Sequence, residues 1–167
     1  WHQSLSTEGF ASGQRILQAL DEELGPKLIF SDGTESIFLA DLSGDGTVTA
    51  KGIYLNLFGD VSSGVVLAID SSVPSDLLID GTATSAAAIT LNSANQTLEI
   101  SPTGSLTINA AQSVTGGFIQ LDGGTLTDSF GVSLGTTGQI NGSGTVAANL
   151  SGTGKVSSSP AQIAALV

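Results

Sequence analysis

Short apolar dyads recur about every twenty residues through the second half of the chain. Leu106, Leu126 and Val146 are spaced by twenty, and Ile79, Ile100, Leu121 and Ile140 fall nineteen to twenty-one residues apart. Each sits in a stretch of strict alternation, as in Leu98/Ile100, Ile119/Leu121 and Val132/Leu134, which turns successive side chains to opposite faces of a strand. Between the dyads lie Gly, Ser, Thr, Asn and Asp, residues that reverse or bend a backbone at little cost. Two dyads eight apart within a repeat near twenty imply about three short strands per coil. The pattern predicts an all-β chain, a right-handed parallel β-helix (a solenoid), its hand following the general preference of parallel crossovers. An antiparallel sandwich competes, because alternation and Asp-Gly turns suit both folds. The fixed period favours the solenoid.

The first part of the chain reads differently. Over residues 7–24, TEGFASGQRILQALDEEL, the apolar positions Phe10, Ile16, Leu17, Leu20 and Leu24 share one face at helical spacing. Thr7 is placed to cap the amino end, and Gly25-Pro26 forms a stop. Residues 1–26 are therefore expected to be an amphipathic helical cap over the first coil, since an open solenoid end exposes unpaired backbone and invites self-association. The solenoid is expected over 27–156, with 157–167 a tail. The chain opens at Trp1 and closes on apolar Val167, and reads as a processed product or a piece of something longer.

Composition narrows the function classes. Fifteen acidic residues oppose four basic ones across 167 residues, a formal net charge of −11. Phosphate recognition needs clustered Lys and Arg, and Arg15, Lys27, Lys51 and Lys155 are scattered, so neither nucleic acid nor anionic lipid is an expected partner. No stretch nears 18 apolar residues, so no helical membrane insertion is expected. The absence of cysteine removes disulfides, thiol catalysis and thiolate metal sites. Charged residues make up 11%, under half the usual quarter, and polarity is carried by Ser, Thr, Asn and Gly. Neutral side chains suit a sheet whose like positions stack about 4.8 Å apart.

The stretch GGFIQLDGGTLTDSFGVSLGTTGQINGSGTVAANLSGTGKV carries a family resemblance. Its GGTLTD, VSLG and INGSGTVAANLSGTG resemble repeats in the passenger β-helices of bacterial autotransporters and filamentous haemagglutinin-like adhesins, over about residues 76–156. The resemblance implies a secreted or surface-exposed bacterial protein, adhesin-like, whose β-helix serves as a non-catalytic stalk or multivalent binding surface for protein or glycan partners. No functional residue of that family maps onto this chain.

Two constellations invite chemistry. In DLSGDGTVTAKG, at 41–52, Asp41, Ser43, Asp45 and Thr47 occupy positions one, three, five and seven of a calcium loop, with Gly46 at the sixth. The loop resembles those of EF-hands and dockerin modules, but Gly52 stands where a bidentate carboxylate should close the shell. A β-hairpin on an Asp-Gly turn explains the same letters, so tight calcium binding is not expected and no cofactor is assigned. Asp60 and Glu35 are the nearby acids that would complete the shell if the fold brings them in. Further along, Asp80, Ser101, Asp122 and Asn141 follow the core dyads and are expected to stack in one column. Asp122 with Asp128, or Asp80 with Glu99, would be the acid/base pair of a polysaccharide lyase or hydrolase, the alternative to a structural module. The same letters also mark the turn of every coil. His2, the single histidine, lies beside Trp1 and is read as linker sequence, so no catalytic residue is assigned.

Overall fold

The computed structural model describes residues 41–158, and before them only the backbone pairing of four short segments. Every strand from Leu28 onward pairs in parallel with a strand of a neighbouring coil, so the chain winds as an all-β solenoid and not as an antiparallel sandwich. Three faces run along it. The first is built from Ser36–Phe38, Tyr54–Leu57, Ser75–Ile79, Gln96–Ile100, the opening parts of the long strands Phe118–Leu134 and Gln139–Gly152, and Lys155–Ser158. The second begins with single bridges at Leu42 and Val61 and continues through Thr82–Ser85, Ser105–Ile108, 125–128 and 145–148. The third holds Leu28–Ile29, Thr47–Ala50 and Val66–Ile69 early, then Gln112–Val114, 132–134 and 150–152. Phe118–Leu134 serves all three faces, and shifts in its register between Asp122 and Thr125 and between Asp128 and Val132 mark two corners.

The coil length follows from register. Leu55, Leu77, Leu98, Ile119 and Ile140 are successive partners, so the advance is 22 residues (77 − 55) and then 21 at each step. All five are buried, as are Leu57, Ile79, Ile100 and Leu121 two residues further on. Leu106, Leu126 and Val146 stack as their spacing of twenty predicts. Ile140 does not continue the column of Ile79, Ile100 and Leu121, however. It sits on Ile119, and the partner of Leu121 is Gly142. Gly142 has φ +103, and a Cβ built there would lie 2.1 Å from the Leu121 carbonyl oxygen, so the backbone of this coil approaches too closely for a side chain. The core is one cluster of Leu, Ile, Val and Ala running through the described coils. It thins at the last of them, where Val156 is 56% exposed.

The third face has a gap that polar side chains close. Val66–Ile69 pairs only with Thr47–Ala50, and no regular strand carries the ladder on to Gln112–Val114. A buried backbone group left without a partner is costly, so something must replace the missing rungs. Gln96 points inward and donates from Nε2 to the carbonyls of Ile69 at 2.6 Å and Thr90 at 2.9 Å, while its Oε1 accepts from Asn92 and Ser93 N–H. Gln112, also buried, accepts from Ile89 N–H at 2.9 Å and donates to the Ile89 carbonyl at 2.6 Å. Each glutamine amide thus mimics a peptide unit inside the core.

The helix expected over 7–24 lies outside the described residues, apart from Leu20–Asp21, which pairs antiparallel with Gly25–Pro26 as a two-residue ribbon. Most of the 157–167 tail likewise lies outside them; its first two residues finish the strand Lys155–Ser158.

If stacked apolar files hold the coils together, Leu98→Ala should cost about 2–5 kcal/mol, the range for a leucine deleted from a packed core. Val156→Ala, on an exposed coil, should cost well under 1 kcal/mol by the same transfer argument. Urea unfolding of the two variants measures the difference.

Candidate binding surface

The outward positions of the first face gather the acids. Strand alternation sends Tyr54 and Asn56, Asp76 and Leu78, Thr97 and Glu99, and Phe118 and Gln120 to the side away from the core. Tyr54 pairs with Asp76 on the next coil, and Leu78 pairs with Glu99 on the one after. The Tyr54 hydroxyl reaches over one coil to donate to Glu99 Oε2 at 3.1 Å. Asp122, just past Leu121, accepts from Gln120 Nε2 at 2.8 Å. The three acids step diagonally, one coil up and two residues along each time: 76, 99, 122, a spacing of 23 against a coil of 21. Leu78 is buried on this outward side, separate from the main core, and Asn56 is buried beside it.

This burial shapes the electrostatics. Removal from water pushes the Asp76 carboxyl up to about 7, and the nearby negative charges of Glu99 and Asp122 push the same way. Glu99 is raised chiefly by burial, then by its hydrogen bond with Asp122 and that group's charge, against the opposing pull of the Tyr54 hydroxyl. Asp76 Oδ1 and Asn56 Oδ1 are buried without a hydrogen-bond partner. A shallow cleft of about 330 Å³ opens against Tyr54, Asp76 and Thr97, with Gly52, Pro74 and Asn95 as its rim. By contrast Asp70 is held down to about 2, by hydrogen bonds from the Ser72 hydroxyl and N–H and by Lys51 Nζ at 3.3 Å.

The residues singled out from sequence are placed as follows. Asp80, Ser101 and Asp122 do form a column, but Asp122 pairs with Ser143, and Asn141 belongs two positions back, on Gln120. Asp80 is tied to the hydroxyls of Ser101 and Thr103, the latter at 2.6 Å. Asp122 and Asp128 do not meet on one surface. Asp128 takes a core position, stacked between Ile108 and Ala148 on the second face, where its Oδ1 accepts from Phe130 and Gly131 N–H at 2.8 and 2.9 Å. It holds a corner. Asp80 and Glu99 are engaged with different partners and form no pair in direct contact.

The 41–52 segment is a coil corner and not a hairpin. Leu42 bridges Val61 on the second face, while Thr47–Ala50 pairs with Leu28–Ile29 and Val66–Ile69 on the third, so the flanks never pair with each other. Asp41 Oδ1 accepts from Asp60 N–H at 2.9 Å, and Asp60 Oδ1 accepts in turn from Thr82 N–H at 3.2 Å. The two acids are thus spent on stitching successive coils. Ser43 and Asp45 lie in the turn and Thr47 begins the strand on the third face. Glu35 lies outside the described residues. Among the described residues no group of three or more His, Asp or Glu side chains is arranged to hold a metal ion, and no helix is long and apolar enough to cross a membrane.

Sequence reading missed Asp76, Tyr54 and Asn56. The signal for Asp76 was present as the 23-residue interval to Glu99 and Asp122, which stacking at twenty hides; no such interval marks Tyr54 or Asn56. Comparison with protein-family models, curated proteins and solved structures finds no match to this chain.

The raised Asp76 carboxyl has a defined consequence. The folded state keeps a proton that the unfolded chain releases above its ordinary value of 3.8, so this contribution to stability is present at low pH and lost as pH rises toward about 7. Melting temperature should therefore fall over that window, and Asp76→Asn should flatten the profile and raise the melting point at pH 8. A melt with micromolar calcium should match one with a chelator; a large upward shift would mean that the 41–52 corner holds the ion.

Proposed function

We propose that this chain is a non-catalytic structural and adhesive module of a secreted or surface-exposed bacterial protein, a stiff rod that presents flat polar faces to protein or glycan surfaces. The observation that carries the reading is the division of labour within each strand. Inward positions are mostly apolar and buried, and the outward positions of the second face from Thr82 to Ala147, like Ser113, Ser133 and Ser151 on the third, are uncharged and mostly Ser or Thr in register from coil to coil. A ladder bonded at each rung is rigid, and like side chains repeated along it offer many equal, weak contacts, which is the basis of multivalent binding. The sequence likeness to autotransporter and haemagglutinin-like repeats supports the same reading. The net charge of −11 favours neutral or basic partners over polyanions.

A second reading rests on one observation, the diagonal of Asp76, Glu99 and Asp122. A carboxyl that stays protonated near pH 7 beside other acids is the arrangement a glycosidic general acid uses. Incubation with neutral and acidic glycans, read by new reducing ends and by the absorbance of unsaturated products, separates the two. The structural reading expects no turnover and retention on immobilised glycan or protein surfaces. Turnover that disappears in Asp122→Asn would replace it with a lyase or hydrolase.

A further inference from the structure

The second face carries a regular outward array. Its strands align without slippage, so Thr82, Ser105, Thr125 and Thr145 form one file, and Thr84, Thr107, Thr127 and Ala147 the other. Neighbours within a file are about 4.8 Å apart, and the files are separated by two residues of strand, about 6.6 Å. Six of the eight positions are threonine, one is serine, and none is charged. Among the described residues none of these seven hydroxyls makes a hydrogen bond within the protein. Some corner hydroxyls are engaged, as those of Ser72, Ser93 and Ser101 are. The face is thus built from hydroxyl and methyl groups that the fold itself does not use.

A single threonine gains little by exchanging one water for another partner, so this face has no grip on a small dissolved ligand. Its strength lies in repetition. The β-branched side chain is stiff about χ1 and the ladder fixes the backbone, so the array is ordered before it binds anything. The partner must repeat as the array does. A soluble glycan would need aromatic platforms, and this face has none. A charged polymer would find no counter-charge. A hydroxyl that keeps a water as its partner and a methyl that orients the water beside it would, repeated along two parallel files, template a patterned layer of water.

We propose that the Thr82–Ala147 face is an ice-binding surface, its ordered hydration merging with the water lattice of a crystal face. The proposal rests on the adhesive reading above and adds, for this one face, a surface beyond the protein and glycan partners named there. It is tested by growing single ice crystals in the purified full chain below their melting point. The expected result is faceted crystals whose growth arrests over a measurable temperature gap. Thr107→Tyr with Thr127→Tyr, both half-exposed positions, should abolish faceting and most of the gap while the circular dichroism spectrum and melting point are kept. Ser133→Tyr, on the third face, should change neither. Smooth discs growing without arrest in the unaltered chain, or full activity in the double variant, overturn the proposal. A parallel sedimentation assay with powdered cellulose and chitin separates the two levels of the argument. Retention there without any shaping of ice overturns the ice surface and leaves the adhesive reading standing, whereas binding to neither surface counts against both.

Discussion

The parallel backbone ladder between successive coils is the constraint from which the rest of the structure follows. Once Leu55, Leu77, Leu98, Ile119 and Ile140 are locked as partners, the neighbours of every residue on that face are assigned, and corners of varying length set the register of the other two. Alternation then decides inside from outside, and the inward files merge into one continuous core. The ladder also explains why polar residues are tolerated inside. Gln96 and Gln112 are buried where the third face has no regular strand between Ile69 and Gln112, and their amides supply the donors and acceptors that the backbone does not. Asp41 and Asp60 do related work outside, each carboxylate accepting a backbone N–H from the coil that follows.

A ladder that stacks coils also stacks like side chains, and this is where electrostatics enters. Threonine and serine can repeat every coil without penalty, but carboxylates cannot. The acids of the first face avoid direct stacking by stepping two residues along at each coil, from Asp76 to Glu99 to Asp122. The diagonal lessens their repulsion without removing it, and burial beside Leu78 adds to the cost of charge, so Asp76 keeps its proton toward neutral pH. The second face shows the opposite solution. Its outward files contain no charge from Thr82 to Ala147, and the hydroxyls face water unpaired.

Much of this fold was legible in the sequence because the period of the apolar dyads survives local noise. Leu106, Leu126 and Val146 announce the stacking of that face, and their spacing comes within one residue of the 21-residue advance on the first. The shift of Ile140 onto Ile119 was not legible, because a count of residues between hydrophobics ignores irregular corners and the close approach that Gly142 permits. The 41–52 segment shows the limit of local turn chemistry. Asp-Gly bends a chain equally well at a hairpin and at a solenoid corner, and only the partners of Leu42 and Thr47–Ala50 distinguish them. The acidic diagonal escaped for a related reason. Function-bearing neighbours in a solenoid depend on the exact advance per coil, and an error of one residue per turn misplaces every column.

The register can be tested with no assumption about function. The chain contains no cysteine, so a pair introduced at Thr107 and Thr127 has no competing thiol. These residues are partners on adjacent parallel strands, about 4.8 Å apart, inside the Cα separation that a disulfide spans. Oxidation of Thr107→Cys with Thr127→Cys should give a crosslink within one chain, detected by mass spectrometry after digestion. Thr84→Cys with Thr127→Cys, two coils apart, should stay reduced. Crosslinking of the distant pair with none in the adjacent one would contradict the stacked-coil account.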